Sequence, residues 1–141
     1  MLAWVNLEDL GENPERSSGV GTYTVTVTLP DDYDSSSQGY VLHFDEVVEL
    51  YTVTVNGNLA IFAQTSSHAT SGDISKYLQP GANTLEITVA SGLYNAAKYY
   101  NTQASAINES ITAQQSEETW TSRDGIIGAV TLTGYGKAQV K

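Results

Sequence analysis

The chain has no cysteine, three prolines, one methionine, and six Lys and Arg against sixteen Asp and Glu. Without cysteine there is neither a disulfide nor a thiolate metal site, so packing and hydrogen bonding must hold the fold. A single domain of 141 residues can do this, because it buries roughly 68–70% of its unfolded surface. Absence of cysteine therefore does not argue against secretion. The formal net charge of −10 disfavours a nucleic acid or an anionic membrane as partner. No apolar run approaches the ~18–20 residues that span a bilayer, and no sustained helical periodicity is visible. Met1 abuts strand-like sequence without a leader pattern, so the chain is expected to be part of a larger protein.

What is present is alternation with period two. Thr22 to Leu29 puts Tyr23, Val25, Val27 and Leu29 on one face and threonines on the other, a pattern suited to a half-buried strand. Pro30-Asp31-Asp32 ends it, and a polar loop follows to Gly39. Tyr40 to Phe44 is a second such strand, with Tyr40, Leu42 and Phe44 on one side. Tyr51 to Val55 repeats the pattern and runs into Asn56-Gly57, which predicts a type I′ hairpin returning through Leu59 to Ala63. His68 to Ile74 reads as a short strand, and Asp73 as the cap of one helical turn ending near Leu78. Thr84 to Val89 and Ile126 to Thr133 are strands, the latter with Val130 and Leu132 inward. Met1 to Leu7 is expected to be a first strand, with Trp4 in the core. About eight short strands with turn punctuation predict an all-β, antiparallel β-sandwich of jelly-roll type over residues 1–141.

Between two of these strands lies Ser91 to Gly125, about twice the ~12–15 residues beyond which structureless loops become uncommon. It holds Tyr94, Tyr99, Tyr100 and Trp120, which is not the composition of a disordered linker. If successive strands are antiparallel, this loop shares one end of the sandwich with residues 9–20, 46–50 and 65–67. Arg16, Glu46, Glu49 and His68 would be its neighbours. The Pro30–Gly39 loop, the Asn56-Gly57 hairpin and the Tyr77–Asn83 connection would sit at the other end.

Several segments, in this order, carry a family resemblance. They are Ser18-Gly19-Val20-Gly21-Thr22-Tyr23, Val53-Thr54-Val55-Asn56-Gly57, and Asp73-Ile74-Ser75-Lys76-Tyr77-Leu78-Gln79-Pro80-Gly81-Ala82-Asn83-Thr84-Leu85. Leu93-Tyr94-Asn95 and Asp124-Gly125-Ile126-Ile127-Gly128-Ala129-Val130 complete the set. The whole resembles the galactose-binding-like jelly rolls, the sugar-binding domains that accompany β-galactosidase, β-mannosidase and α-L-rhamnosidase-type glycoside hydrolases. It covers residues 17 to 135. The matching pieces are turns and core strands, so they transfer a fold and not a site. The resemblance also implies an optional structural calcium between first and last strands. Glu8 and Asp9 could contribute to it, but Thr131 to Tyr135 offers no carboxylate to such an oxygen-rich site.

Sugars present apolar C–H faces edged by hydroxyls, so their sites combine an aromatic platform with a few fixed polar groups. Trp120 is the candidate platform, with pinning the loop to the sandwich as its competing role. Tyr99 and Tyr100 are adjacent and would point opposite ways, one toward a ligand and one into packing. Tyr94 and Asn95 either contact ligand or close the strand end. Arg123 and Asp124 can donate to and accept from hydroxyls, or Asp124-Gly125 simply turns the chain. Lys98 and Arg123 together can mark a uronic-acid subsite or balance surface charge. His68 is a hydrogen-bonding candidate, whereas His43 sits mid-strand as a structural residue. Asn108-Glu109-Ser110 is an N-glycosylation sequon within the loop.

No catalytic constellation stands out. Glycoside hydrolysis needs two carboxyls about 5–10 Å apart across a cleft, and Asp45, Glu46 and Glu49 read as a solvated bend. There is no His-rich metal motif, nucleophile elbow or phosphate loop. The expectation is a secreted, non-catalytic carbohydrate-binding module of a larger glycan-degrading enzyme, with a plant or microbial polysaccharide and an adjacent catalytic domain as partners. A non-binding accessory sandwich is the alternative, and a small hydrolase or lyase a third reading.

Overall fold

The computed structural model describes residues 19–48, 50–64, 70–92 and 125–138. These hold seven strands: β1 (Val20–Leu29), β2 (Gln38–Val48), β3 (Leu50–Val55), β4 (Asn58–Gln64), β5 (Ser71–Asp73), β6 (Gly81–Ala90) and β7 (Gly125–Gly136). A single 3-10 turn, Ser75–Tyr77, precedes β6. Two antiparallel sheets form a sandwich, with strand orders β1-β6-β3-β4 and β5-β2-β7. The all-β class holds. Of the eight anticipated strands, the first (Met1 to Leu7, with Trp4) lies outside the described residues.

The alternation explains the core. On β3, Tyr51, Val53 and Val55 are buried, and their β6 partners Val89, Ile87 and Leu85 are buried beside them. Leu42, Phe44, Val47 and Ile126 close over them from the second sheet. Phe44 meets Tyr51 edge-on, with ring centroids 5.0 Å apart. Each such side chain contributes about 1.5–3 kcal/mol when fully buried. The threonines of β1 face outward, and Thr22 and Thr88 exchange a hydroxyl hydrogen bond of 3.1 Å across β1 and β6.

The hairpin forms as its residues dictate. Asn56 and Gly57 take φ of 50° and 78°, the left-handed values that a type I′ turn demands. Other expectations need correction. β2 does not stop at Phe44 but continues to Val48. Asp45 and Glu46 therefore belong to a strand and not to a bend, while Glu49 lies outside the described residues. The extension is possible because Gly128 and Ala129 together oppose Asp45 as a bulge in β7. Val47 thereby stays buried opposite Ile126. His43 does lie mid-strand as expected, exposed on the outer face of β2 between Ser71 and Thr131. The helical turn begins at Ser75, one residue after its cap position at Ile74. Asp73 still grips its start, accepting the Ser75 N–H at 2.8 Å.

Candidate functional site

Strand polarity gathers the start of β1, the end of β2, the start of β3 and the end of β4 at one end of the sandwich. The end of β6 and the start of β7 join them there. This is the loop end, since residues 93–124 leave β6 and return to β7. Both tethers are built into the sandwich. Ser91 donates its N–H to the Gly19 carbonyl at 2.9 Å, and its Oγ accepts the Gly19 N–H at 2.8 Å. On the return side, Gly125 pairs with Val48 and leads into the fully buried Ile126. The 93–124 segment thus starts on the four-stranded sheet and ends on the three-stranded one.

The expected ligand residues Tyr94, Asn95, Lys98, Tyr99, Tyr100, Trp120, Arg123 and Asp124 all lie outside the described residues. His68, which falls between β4 and β5 in the sequence, lies outside them too. What the structure describes is the pair of sheets to which the two ends of the 93–124 segment are joined.

The opposite, hairpin end carries two polar constructions that periodicity does not reveal. In the first, the side chain of Asn83 is fully buried. Its amide donates to the carbonyls of Gln79 (2.8 Å) and Gly81 (3.0 Å). Its oxygen accepts from the Gln79 N–H (2.9 Å) and from the Asn56 side-chain amide (2.8 Å). Asn56 in turn donates to the Tyr77 carbonyl and accepts the Thr84 N–H, each at 3.0 Å. The hairpin and the 77–84 connection are thereby locked together.

In the second, two Gly-Tyr dipeptides pair in opposite directions, Gly39 with Tyr135 and Tyr40 with Gly134. A Cβ on Gly39 would collide with the Tyr135 ring, and one on Gly134 would come 3.0 Å from the Tyr40 ring. Each tyrosine therefore lies over a glycine. The Tyr135 hydroxyl reaches across β2 to donate to Asp73, whose other oxygen accepts from Ser75 Oγ at 2.5 Å. Burial pushes the Asp73 carboxyl up, but the Ser75 and Tyr135 hydrogen bonds outweigh this and hold it below its ordinary range. The same bond raises the Tyr135 hydroxyl. Tyr33 is buried nearby and donates to the Ser75 carbonyl at 3.2 Å. Beside this cluster, a groove of about 480 Å³ opens between Pro30, Tyr40, Gly134 and Gly136. No carboxylate, imidazole or lysine lines it.

Among the described residues no group of three or more His, Asp or Glu side chains can hold a metal ion. β7 carries hydroxyls but no carboxylate, and Glu8 and Asp9, the other contributors expected at a calcium site, lie outside the described residues.

The family of glycosyl hydrolases family 2, sugar binding domain, matches residues 8–132. The chain belongs to this family. As a glycoside hydrolase family 2 sugar-binding domain, it aligns over 95% of its length with a rhamnosidase from Novosphingobium sp. PP1Y, at TM-score 0.67 and 25% identity. It covers 12% of that chain. An FMN-binding β-glucuronidase from Faecalibacterium prausnitzii L2-6 aligns over 85% of the domain, with TM-score 0.54, 18% identity and 17% of that chain covered. A Bifidobacterium dentium β-glucuronidase complexed with coumarin-3-O-glucuronide aligns over 63%, with TM-score 0.51, 20% identity and 14% covered. These last two likenesses speak to the fold alone. Curated proteins give no match.

Proposed function

We propose that this domain is the non-catalytic, carbohydrate-binding part of a larger secreted glycoside hydrolase, and that it holds sugar through residues of the 91–125 region. The observation that carries this reading is a family 2 sugar-binding domain whose longest inter-strand segment is tethered to both sheets at one end of the sandwich. In that segment Trp120, with Tyr99 or Tyr100, supplies the stacking surface. Arg123, Asp124 and Asn95 supply hydroxyl partners, with Tyr94, Lys98 and His68 as further contacts. Stacking with few polar contacts gives modest affinity, a micromolar-to-millimolar Kd equivalent to about −8 to −4 kcal/mol. Retention of the domain on a panel of plant and microbial polysaccharides, without product release, is the expected result. Retention on none of them would defeat the proposal.

A second reading has its own support. Phe62 and Leu59 are 64% and 56% exposed, opposite Thr52 and Thr54 on the outer face of the edge strand β4. Neighbouring exposed apolar side chains are the mark of a covered surface. In this reading β4 docks on the catalytic domain of the same enzyme. Joining the two domains should then shield Phe62 and Leu59 from solvent, and the domain on its own should be retained on no polysaccharide. If β4 stays exposed in the joined protein, docking at this face is excluded.

A further inference from the structure

Asn56-Gly57 is the only Asn-Gly pair in the chain, and it meets two opposed demands. The type I′ turn favours both residues, yet the same pair is open to attack from within. The backbone nitrogen of Gly57 can add to Cγ of the Asn56 side chain, and glycine has no Cβ to shield that nitrogen. Gly57 is exposed at the turn tip, with no atom within 4 Å of where a Cβ would sit. Water reaches it freely.

What opposes the attack is the hold on the other residue. The Asn56 side-chain nitrogen donates to the Tyr77 carbonyl at 3.0 Å and to Asn83 Oδ1 at 2.8 Å, and its oxygen accepts the Thr84 N–H at 3.0 Å. The Asn56 N–H also donates to the Thr84 carbonyl, at 2.8 Å. Closing a ring draws Cγ onto the Gly57 nitrogen and expels the side-chain nitrogen. Both donor bonds are then lost, and the fully buried Asn83 loses one of its partners, which is costly inside a protein.

We propose that Asn56 is a site of spontaneous deamidation, kept silent by the 56–83 network and released when the hairpin end opens. The Gly57 nitrogen gives up its proton to hydroxide and bonds to Cγ. The side-chain nitrogen takes up a proton and leaves as ammonia, closing a cyclic imide. Water then opens the imide at either carbonyl, giving aspartate or isoaspartate. Refolding does not undo the change. A carboxylate at position 56 only accepts, so it faces two acceptors, the Tyr77 carbonyl and Asn83 Oδ1. Turning the Asn83 amide over offers no cure. Its oxygen also takes the Gln79 N–H, and its nitrogen serves the Gln79 and Gly81 carbonyls. One opening event thus becomes a permanent loosening of this end.

The test uses the whole chain at mildly alkaline pH, with peptide mapping by mass spectrometry to follow the amide-to-acid change at Asn56. Conversion should be at least about tenfold faster in guanidinium chloride than in buffer. In buffer, Asn83→Ala should speed it at least about tenfold, whereas Gly128→Ala, which weakens the opposite end, should leave it unchanged. Asn56→Asp, which carries the product's charge, should melt below the unaltered chain. Equal conversion in buffer and denaturant would overturn the assignment. So would equal acceleration by Asn83→Ala and Gly128→Ala, since global unfolding then governs, or an Asn56→Asp chain that melts with the unaltered one. If Asn83→Ala does not fold, the comparison of buffer with denaturant and the Asn56→Asp melt decide alone.

Discussion

Asn83 shows how one side chain can organise a whole end of this domain. It is fully buried, and all four of its hydrogen bonds go to the 56–83 network. Asn83→Ala leaves the Gln79 N–H and two carbonyls without their partner, at a cost of about 2–4 kcal/mol. Calorimetry should show a Tm lower by the order of 10 °C. Tyr135 is a milder case. Tyr135→Phe keeps the ring over Gly39 but removes the hydrogen bond to Asp73, a small loss because the pair is exposed to solvent. The folded Asp73 titrates below its ordinary value of 3.8. Its contribution is therefore complete above that pH and fades as pH falls through the folded value. Urea midpoints of the two proteins should differ slightly at pH 7 and converge as the pH falls below 3.8 and through the folded value of Asp73. Neither network follows from periodicity. Asn56 and Asn83 both sit in stretches that resemble the family, but their mutual contact spans the gap between two turns. The mirrored Gly39-Tyr40 and Gly134-Tyr135 dipeptides were a readable signal for the second network, because antiparallel pairing sets each tyrosine opposite a glycine.

At the scale of elements, period-two alternation and turn chemistry specify most of the strands. Thr22 to Leu29, Tyr51 to Val55 and Thr84 to Val89 each alternate without a break, and the Asn56-Gly57 turn forces the returning strand into place. Alternation fails where a bulge resets it, which is why β2 seemed to end at Phe44. Gly128 resolves that misfit. It has φ of 83°, and a Cβ there would lie 2.6 Å from Asp45 Oδ2, while Asp45 also accepts the neighbouring Ala129 N–H at 2.7 Å. Gly128→Ala should cost about 1–3 kcal/mol. Amide exchange should rise first around the bulge, at residues 44–48 and 125–130, before the hairpin is affected. Uniform destabilisation of both ends would show that the bulge is not a separate weak point.

For the molecule as a whole, the β-sandwich and its family were legible because turns and core strands carry both. The ligand residues were not, because Tyr94 to Asp124 follow neither strand periodicity nor a turn motif that would set their geometry. What the fold contributes is the attachment of the segment's two ends, one on each sheet at the loop end. The central claim is that this segment binds sugar and that Trp120 is its platform. Affinity electrophoresis of the unaltered domain and Trp120→Ala, in gels containing the retaining polysaccharide, tests it most directly when paired with thermal melts. Expected are retardation of the unaltered domain, at least about tenfold weaker binding for Trp120→Ala, and melting temperatures within about 2 °C of one another. Equal retardation of the two proteins, or unfolding of Trp120→Ala, would contradict it.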